Sequence, residues 1–236
     1  MNRQAQSAVL FLLGAALLHA GTTDLYLRYV KAGLQPLVVA AGAVLMVTAL
    51  ATAWYEWRSR RDTHEHSHPE PRVSWLLVLP LFALILVAPP ALGSYSAMRT
   101  GTALQQSYGY QKLPASGPLR LNLVDYATRA VYEHGQGLAG RQIVVTGFVA
   151  LDHSGAPYLV RMALNCCAAD AQPVKVGLAG KLPPVLRPDG WLEVTGTFTT
   201  KRAKDPVNGG PIPFLQVTSA KPVKTPADPY DETWNT

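Results

Sequence analysis

The chain has 236 residues, 48% apolar and only 15% charged, with a net charge of +6. This length allows one domain or two. The positive surplus divides evenly, eight Lys/Arg against five Asp/Glu through residue 99 and thirteen against ten beyond it, so neither half has the basic excess of a polyanion-binding surface. The apolar residues crowd into the first 99 positions, which predicts a membrane anchor followed by a soluble domain.

Three apolar stretches are each close to the roughly 20 residues needed to cross the hydrocarbon core: Ala5 to Leu27, Leu34 to Trp54 and Trp75 to Tyr95. The first also has the apolar content of a secretion signal, but no good A-x-A cleavage pattern stands near His19, Ala20 and Gly21, so it reads as a retained span. Trp54, Tyr55, Trp57, Trp75 and Tyr95 lie at span ends, where interfacial aromatics belong. Arg58, Arg60, Arg61 and Arg72 outnumber Arg28 and Lys31, which assigns the second loop to the cytoplasm. Three spans then place everything after about Arg99 outside the cell membrane.

Within the membrane half, His19 and Asp24 are the ionisable residues nearest a span, and such groups face either a water-filled path or the interface. At the interface Asp24 has Arg28 one turn on as a partner. Pro80, Pro89 and Pro90 kink or end the third span. The loop before it carries His64, Glu65, His66, Ser67 and His68, an alternation able to present imidazole nitrogen to zinc or a similar metal, or simply a polar linker.

Thr100 to Pro118 has the glycines and prolines of a linker, and Leu121, Val124, Tyr126, Ala127, Ala130 and Val131 recur at helical spacing before Gly135. From Arg141 the period changes to two. Ile143, Val145, Val149 and Leu151 alternate, as do Tyr158 to Cys166 and Leu192, Val194 and Phe198; with 173–178 and 212–218 this predicts five strands. Val-Thr-Gly at 145–147 and again at 194–196 suits bulges or bends. Five strands and a short helix over residues 141–220 fit a small Greek-key barrel of OB type. The Pro-rich 221–236 reads as a disordered tail.

The two cysteines, Cys166 and Cys167, are adjacent. Their Cα atoms lie about 3.8 Å apart across a trans peptide, short of the usual disulfide range, so a bond between them is strained and easily reduced. If the strand continues through both, Cys166 faces the core with Tyr158, Val160, Met162 and Leu164, while Cys167 lies outside near Arg161, Asn165 and Asp170. If the backbone breaks at Cys166, both thiolates reach one soft ion, with Asp170 or His153 as a further ligand. Simple packing of a buried cysteine is the remaining reading.

There is no P-loop, Gly-x-Ser-x-Gly or His-Glu-x-x-His, and no catalytic residue is assigned. Isolated His134 and His153 read as surface loop residues. An OB barrel invites a nucleic-acid partner, but its outside location and small charge argue against one.

The first span ending in Leu18, His19, Ala20 and Gly21 with Asp24, Leu25 and Tyr26, the histidine loop, Pro80 to Gly93, and Arg161 through Cys166, Cys167, Ala168, Ala169 and Asp170 to Pro173 together resemble the YcgQ-like family of proteins described as permease subunits. The resemblance implies a small membrane protein paired with a larger multi-spanning permease. The leading expectation is thus an auxiliary subunit of a membrane transport complex that handles a metal ion, zinc or another soft or borderline metal. The alternatives are a membrane-tethered thiol redox protein, in which Arg161 lowers the pKa of Cys167, and an external binding module without metal.

Overall fold

The computed structural model describes residues 3–62, 75–76, 78–87, 89–107 and 109–232. The chain divides into two compact units, Met1–Pro90 and Ala91–Thr236.

The first unit is built on two helices, α1 (Arg3–Thr22) and α2 (Gln35–Asp62). A 3-10 turn over Asp24–Arg28, capped by the hydroxyl of Thr23, and a second over Ala32–Leu34 connect them. The helices run antiparallel along a seam of small residues. Ser7 Oγ donates to the Ala49 carbonyl at 2.9 Å, Ala5 and Ala49 are each 1% exposed, and Gln35 Nε2 donates to the Gly21 carbonyl at 2.9 Å. Gly14 and Gly42 let the backbones meet: a Cβ on Gly14 would stand 3.0 Å from the Gly42 carbonyl oxygen, and one on Gly42 would stand 3.0 Å from the Leu18 nitrogen. Small-residue seams of this kind are how helices associate where no hydrophobic effect drives them together.

Two helical segments, Gln4–Thr22 and Ala32–Arg58, are long and apolar enough to cross a membrane. The third expected span is not a single helix among the described residues. Its helical part, α3 (Val78–Leu86), has nine residues, about 14 Å of rise against a core of about 30 Å. Val87 and 89–93 are not helical, and Tyr95 belongs to α4 (Ser94–Arg99) of the second unit. Pro89 and Pro90 account for the break, since they lack the amide donors that would continue a helix.

In the second unit a two-residue strand, β1 (Leu119–Arg120), precedes α5 (Leu123–Tyr132). Five strands follow: β2 (Gln142–Leu151), β3 (Pro157–Leu164), β4 (Gln172–Gly180), β5 (Trp191–Lys204) and β6 (Pro211–Pro222). β2 pairs antiparallel with both β3 and β5, β3 with β4, and β5 with β6, while β4 and β6 run parallel. These pairings close a five-stranded barrel. β2 changes partner at Phe148, beside Gly147, where a Cβ would stand 2.7 Å from the Val160 carbonyl oxygen. The second Val-Thr-Gly coincides with a register shift between Thr195 and Gly196.

Ile143, Val145, Val149, Leu159, Val176, Val194 and Leu215 belong to the main core together with Leu123, Tyr126 and Ala127 of α5. A second cluster joins Phe148, Ala150, Val160, Met162, Leu164 and Trp191 to Ala97 of α4 and to Tyr230. Both alternating sets of β3 are therefore covered: Leu159 and Ala163 pack in the main core, and Val160, Met162 and Leu164 in the second cluster.

Two expectations about the flanks fail. Described residues of 100–118, read as a linker, are laid on the barrel: Ala103 N–H donates to the Pro173 carbonyl, Thr102 N–H to Asp205 Oδ2, and Arg129 and Arg141 donate to carbonyls of Gln111, Pro114 and Gly117. The tail is not disordered over its described part. β6 runs to Pro222, and β7 (Tyr230–Glu232) pairs parallel with Met162, Ala163 and Leu164 of β3. Asp231 fixes it there, accepting from Arg161 Nε at 2.8 Å and from the N–H groups of Leu123 and Val124 at the start of α5.

Candidate functional site

The loop between β3 and β4 carries both cysteines. β3 ends at Leu164 because the Asp170 carboxylate takes the next two amides, Oδ1 accepting from Asn165 N–H at 3.0 Å and Oδ2 from Cys166 N–H at 2.9 Å. Local side-chain acceptors compete with a ladder in this way. Cys167 is still extended, with φ −152° and ψ 169°, and opens a 3-10 turn over Ala168–Asp170. Ala168 and Ala171 pack against the second cluster and so anchor the loop.

The alternation thus stops before the cysteines. Cys166, expected to face the core on a continuing strand, is exposed, and Cys167 is half-buried. Their sulfurs are 3.6 Å apart. Both sulfurs and an Asp170 carboxylate oxygen lie within 4.8 Å of one another, and among the described residues this is the one cluster of three or more His, Cys, Asp or Glu donors that could hold a metal ion.

Hydrogen bonding to Asp170, then to Cys167, pushes the Cys166 thiol up to about 12, with the Asp170 charge adding to the effect. Partial burial of Asp170 works against its charge, but the Cys166 thiol and the amides of Cys166, Asn165 and Cys167 outweigh it and hold the carboxyl below its usual range. The result is a thiol, a second thiol and an ionised carboxylate gathered on one exposed loop. Two sulfurs and an oxygen are a donor set for a borderline or soft cation.

Arg161, expected beside Cys167, is instead 9% exposed and held by Asp231, donating also to the Tyr230 carbonyl at 2.8 Å and stacking 5.0 Å over the Trp191 ring. His153 is exposed in a turn organised by Asp152, whose Oδ1 accepts from Ser154 and Ala156 amides at 2.8 Å. It is not in the donor cluster. His134 takes a positive φ of 53° just past α5 and turns the chain there. His19 and Asp24 are exposed in the first unit, at the end of α1 and the start of the first 3-10 turn. His64, His66 and His68 lie outside the described residues.

A family profile described as the DUF1980 C-terminal domain matches residues 100–231. The chain belongs to the DUF1980 family. The DUF1980 domain therefore takes in the former linker at one end and Asp231 at the other, the two segments that the hydrogen bonds tie to the barrel. No curated protein and no solved structure matches the chain.

Two buried ion pairs of the DUF1980 domain escaped the reading of the sequence. Lys175 Nζ donates to Asp205 Oδ2 at 2.7 Å, with the side chains 1% and 0% exposed, and Arg161 pairs with Asp231. The available signal was a basic residue inside an otherwise apolar strand, in β3 and again in β4, because such a charge demands a counterion.

Proposed function

We propose that this protein is a membrane-anchored auxiliary subunit of a transport complex, in which a barrel of OB type presents Cys166, Cys167 and Asp170 to a metal ion. The observation that carries the reading is the donor cluster itself: two sulfurs 3.6 Å apart with a carboxylate beside them on an exposed loop. The α1–α2 hairpin supplies the anchor, and the resemblance to YcgQ-like proteins, together with DUF1980 membership, supports a larger multi-spanning permease as partner. The thiol redox reading loses the cation it relied on, since Arg161 is committed to Asp231.

The barrel is proposed to lie outside the cell membrane. A hairpin alone returns the chain to the side bearing Arg58, Arg60 and Arg61, so this placement requires a third crossing. Support comes from residues 73–90, which carry no charged residue and contain α3. Extraction from native membranes in mild detergent, with metal analysis of the purified complex, tests the whole proposal. The expected result is a multi-spanning protein recovered at a fixed ratio, and metal lost when Cys166 and Cys167 are replaced. Recovery of the chain alone and metal-free at both wild-type and variant positions would sink it.

A further inference from the structure

The geometry points to an open, exchangeable site for a four-coordinate divalent cation of the zinc class, and we infer that Cys166, Cys167 and Asp170 hold such an ion for transfer rather than as a structural element. This rests on the metal-handling reading above and adds to it the ion class and the manner of release.

The sulfur spacing is compatible with a tetrahedral centre. Zinc–thiolate bonds of about 2.3 Å meeting at the tetrahedral angle hold two sulfurs about 3.8 Å apart, whereas a linear two-coordinate centre with bonds of that length would need about 4.6 Å. The 3.6 Å between the free thiols lies close to the first, so a tetrahedral ion is reached with little movement of either sulfur. A carboxylate as third donor suits zinc better than a monovalent soft ion, which prefers sulfur.

The site is also incomplete. Structural zinc sites are closed by four protein ligands, while sites with chemistry to perform keep a position open. Here three donors are gathered, Cys166 is exposed, and no fourth His, Cys, Asp or Glu among the described residues joins them. The open position can accept an incoming ligand before any thiolate leaves, which is the requirement for handing an ion to another protein. Asp170 has a second duty as a positioning residue, since its two oxygens hold the Asn165 and Cys166 amides and so fix the backbone that carries the thiols.

The purified full-length chain in detergent, stripped with chelator and loaded with Co(II) or Zn(II), provides the test. One ion per chain is expected, with a thiolate-to-cobalt charge-transfer band and the intense visible bands of four-coordinate cobalt, both erased by zinc. Asp170→Asn should weaken binding by at least the roughly 10–100-fold that loss of an orienting partner costs, since Asp170 is also a ligand, and Cys166→Ser or Cys167→Ser by more. Transfer of zinc to a chromophoric chelator should proceed at a rate that rises in proportion to chelator concentration. A six-coordinate cobalt spectrum, one ion shared between two chains, preferential Cu(I) binding, or a release rate independent of chelator would each overturn the inference while leaving a metal-binding role standing. A chain that binds no metal with both thiols reduced would remove the broader reading as well.

Discussion

Arg161 and Asp231 stand 70 positions apart in sequence, yet Nε of one lies 2.8 Å from Oδ1 of the other, and both side chains are nearly closed to solvent. Removing one partner of such a pair leaves a buried charge uncompensated, which costs about 3–5 kcal/mol. Asp231→Ala also deprives the Leu123 and Val124 amides of their acceptor. Chemical unfolding of the detergent-solubilised chain should show a loss in that range, with a smaller one for Asp231→Asn. Unchanged unfolding in Asp231→Ala would mean that β7 is not fastened by this contact.

The Lys175–Asp205 pair predicts acid sensitivity. Burial opposes the Asp205 charge, but Lys175 and the amides of Val207 and Thr102 prevail and hold its carboxyl below the ordinary value. A carboxyl whose folded pKa is depressed gives stability that is present above its unfolded pKa, about 3.9, and is lost as pH falls through the lower folded value. Stability measured by denaturant between pH 7 and pH 2 should therefore hold near neutrality and fall below about pH 4. In Asp205→Asn it should start lower, by about 3–5 kcal/mol for the stranded Lys175, and fall less steeply. An equal slope in both proteins would show that other carboxylates drive the acid transition.

Because Cys166 is exposed and Cys167 half-buried, neither hydroxyl replacement buries an unsatisfied group. Cys166→Ser and Cys167→Ser should each change unfolding free energy by no more than about 0.5 kcal/mol, as surface substitutions do. On intact cells briefly treated with chelator, a membrane-impermeant maleimide should label Cys167, and Cys166 more slowly because its raised pKa leaves little thiolate. Labelling confined to lysed cells would place the barrel in the cytoplasm.

The α1–α2 seam is tight at Gly14 and Gly42. Alanine at Gly14 requires shifts of a few tenths of an ångström against backbone, and Gly42→Leu cannot be accommodated without separating the helices. Oxidative crosslinking of Ser7→Cys to Ala49→Cys, in a chain lacking both native cysteines, should be efficient and should collapse when Gly42→Leu is added. Persistence of the crosslink would mean that the hairpin is held elsewhere.

The barrel was legible because period-two alternation survives wherever a strand is long: Ile143, Val145 and Val149 in β2 needed no tertiary information. The helix α5 was legible for the same reason at a period of 3.6. Three residues of β7 carry no period, so the tail read as disorder, and the contact that holds it depends on Arg161, whose partner lies far along the chain. The cysteine loop was left open between a continuing strand and a break. Alternation in β3 extended formally to Cys166, and only the Asp170 carboxylate, which takes two amides out of the ladder, explains why the strand stops two residues earlier. Apolar composition alone likewise suggested one span over Trp75 to Tyr95, although the prolines that divide it were in plain view.

The helix that packs against the barrel core is made before any barrel strand, but the acceptor for its first amides arrives last, 108 residues after Leu123. During synthesis Asn122 can cap the Asp125 amide of α5, but the Leu123 and Val124 amides must wait for their acceptor while five strands are assembled around the helix. Closure of such distant contacts carries the largest loop entropy and is slow. The DUF1980 domain should therefore complete folding only after Asp231 has emerged, in a late step that joins the start and finish of the domain at once. A nascent chain arrested at residue 225 should remain open to protease across α5, while one arrested after residue 232 has cleared the exit should become resistant.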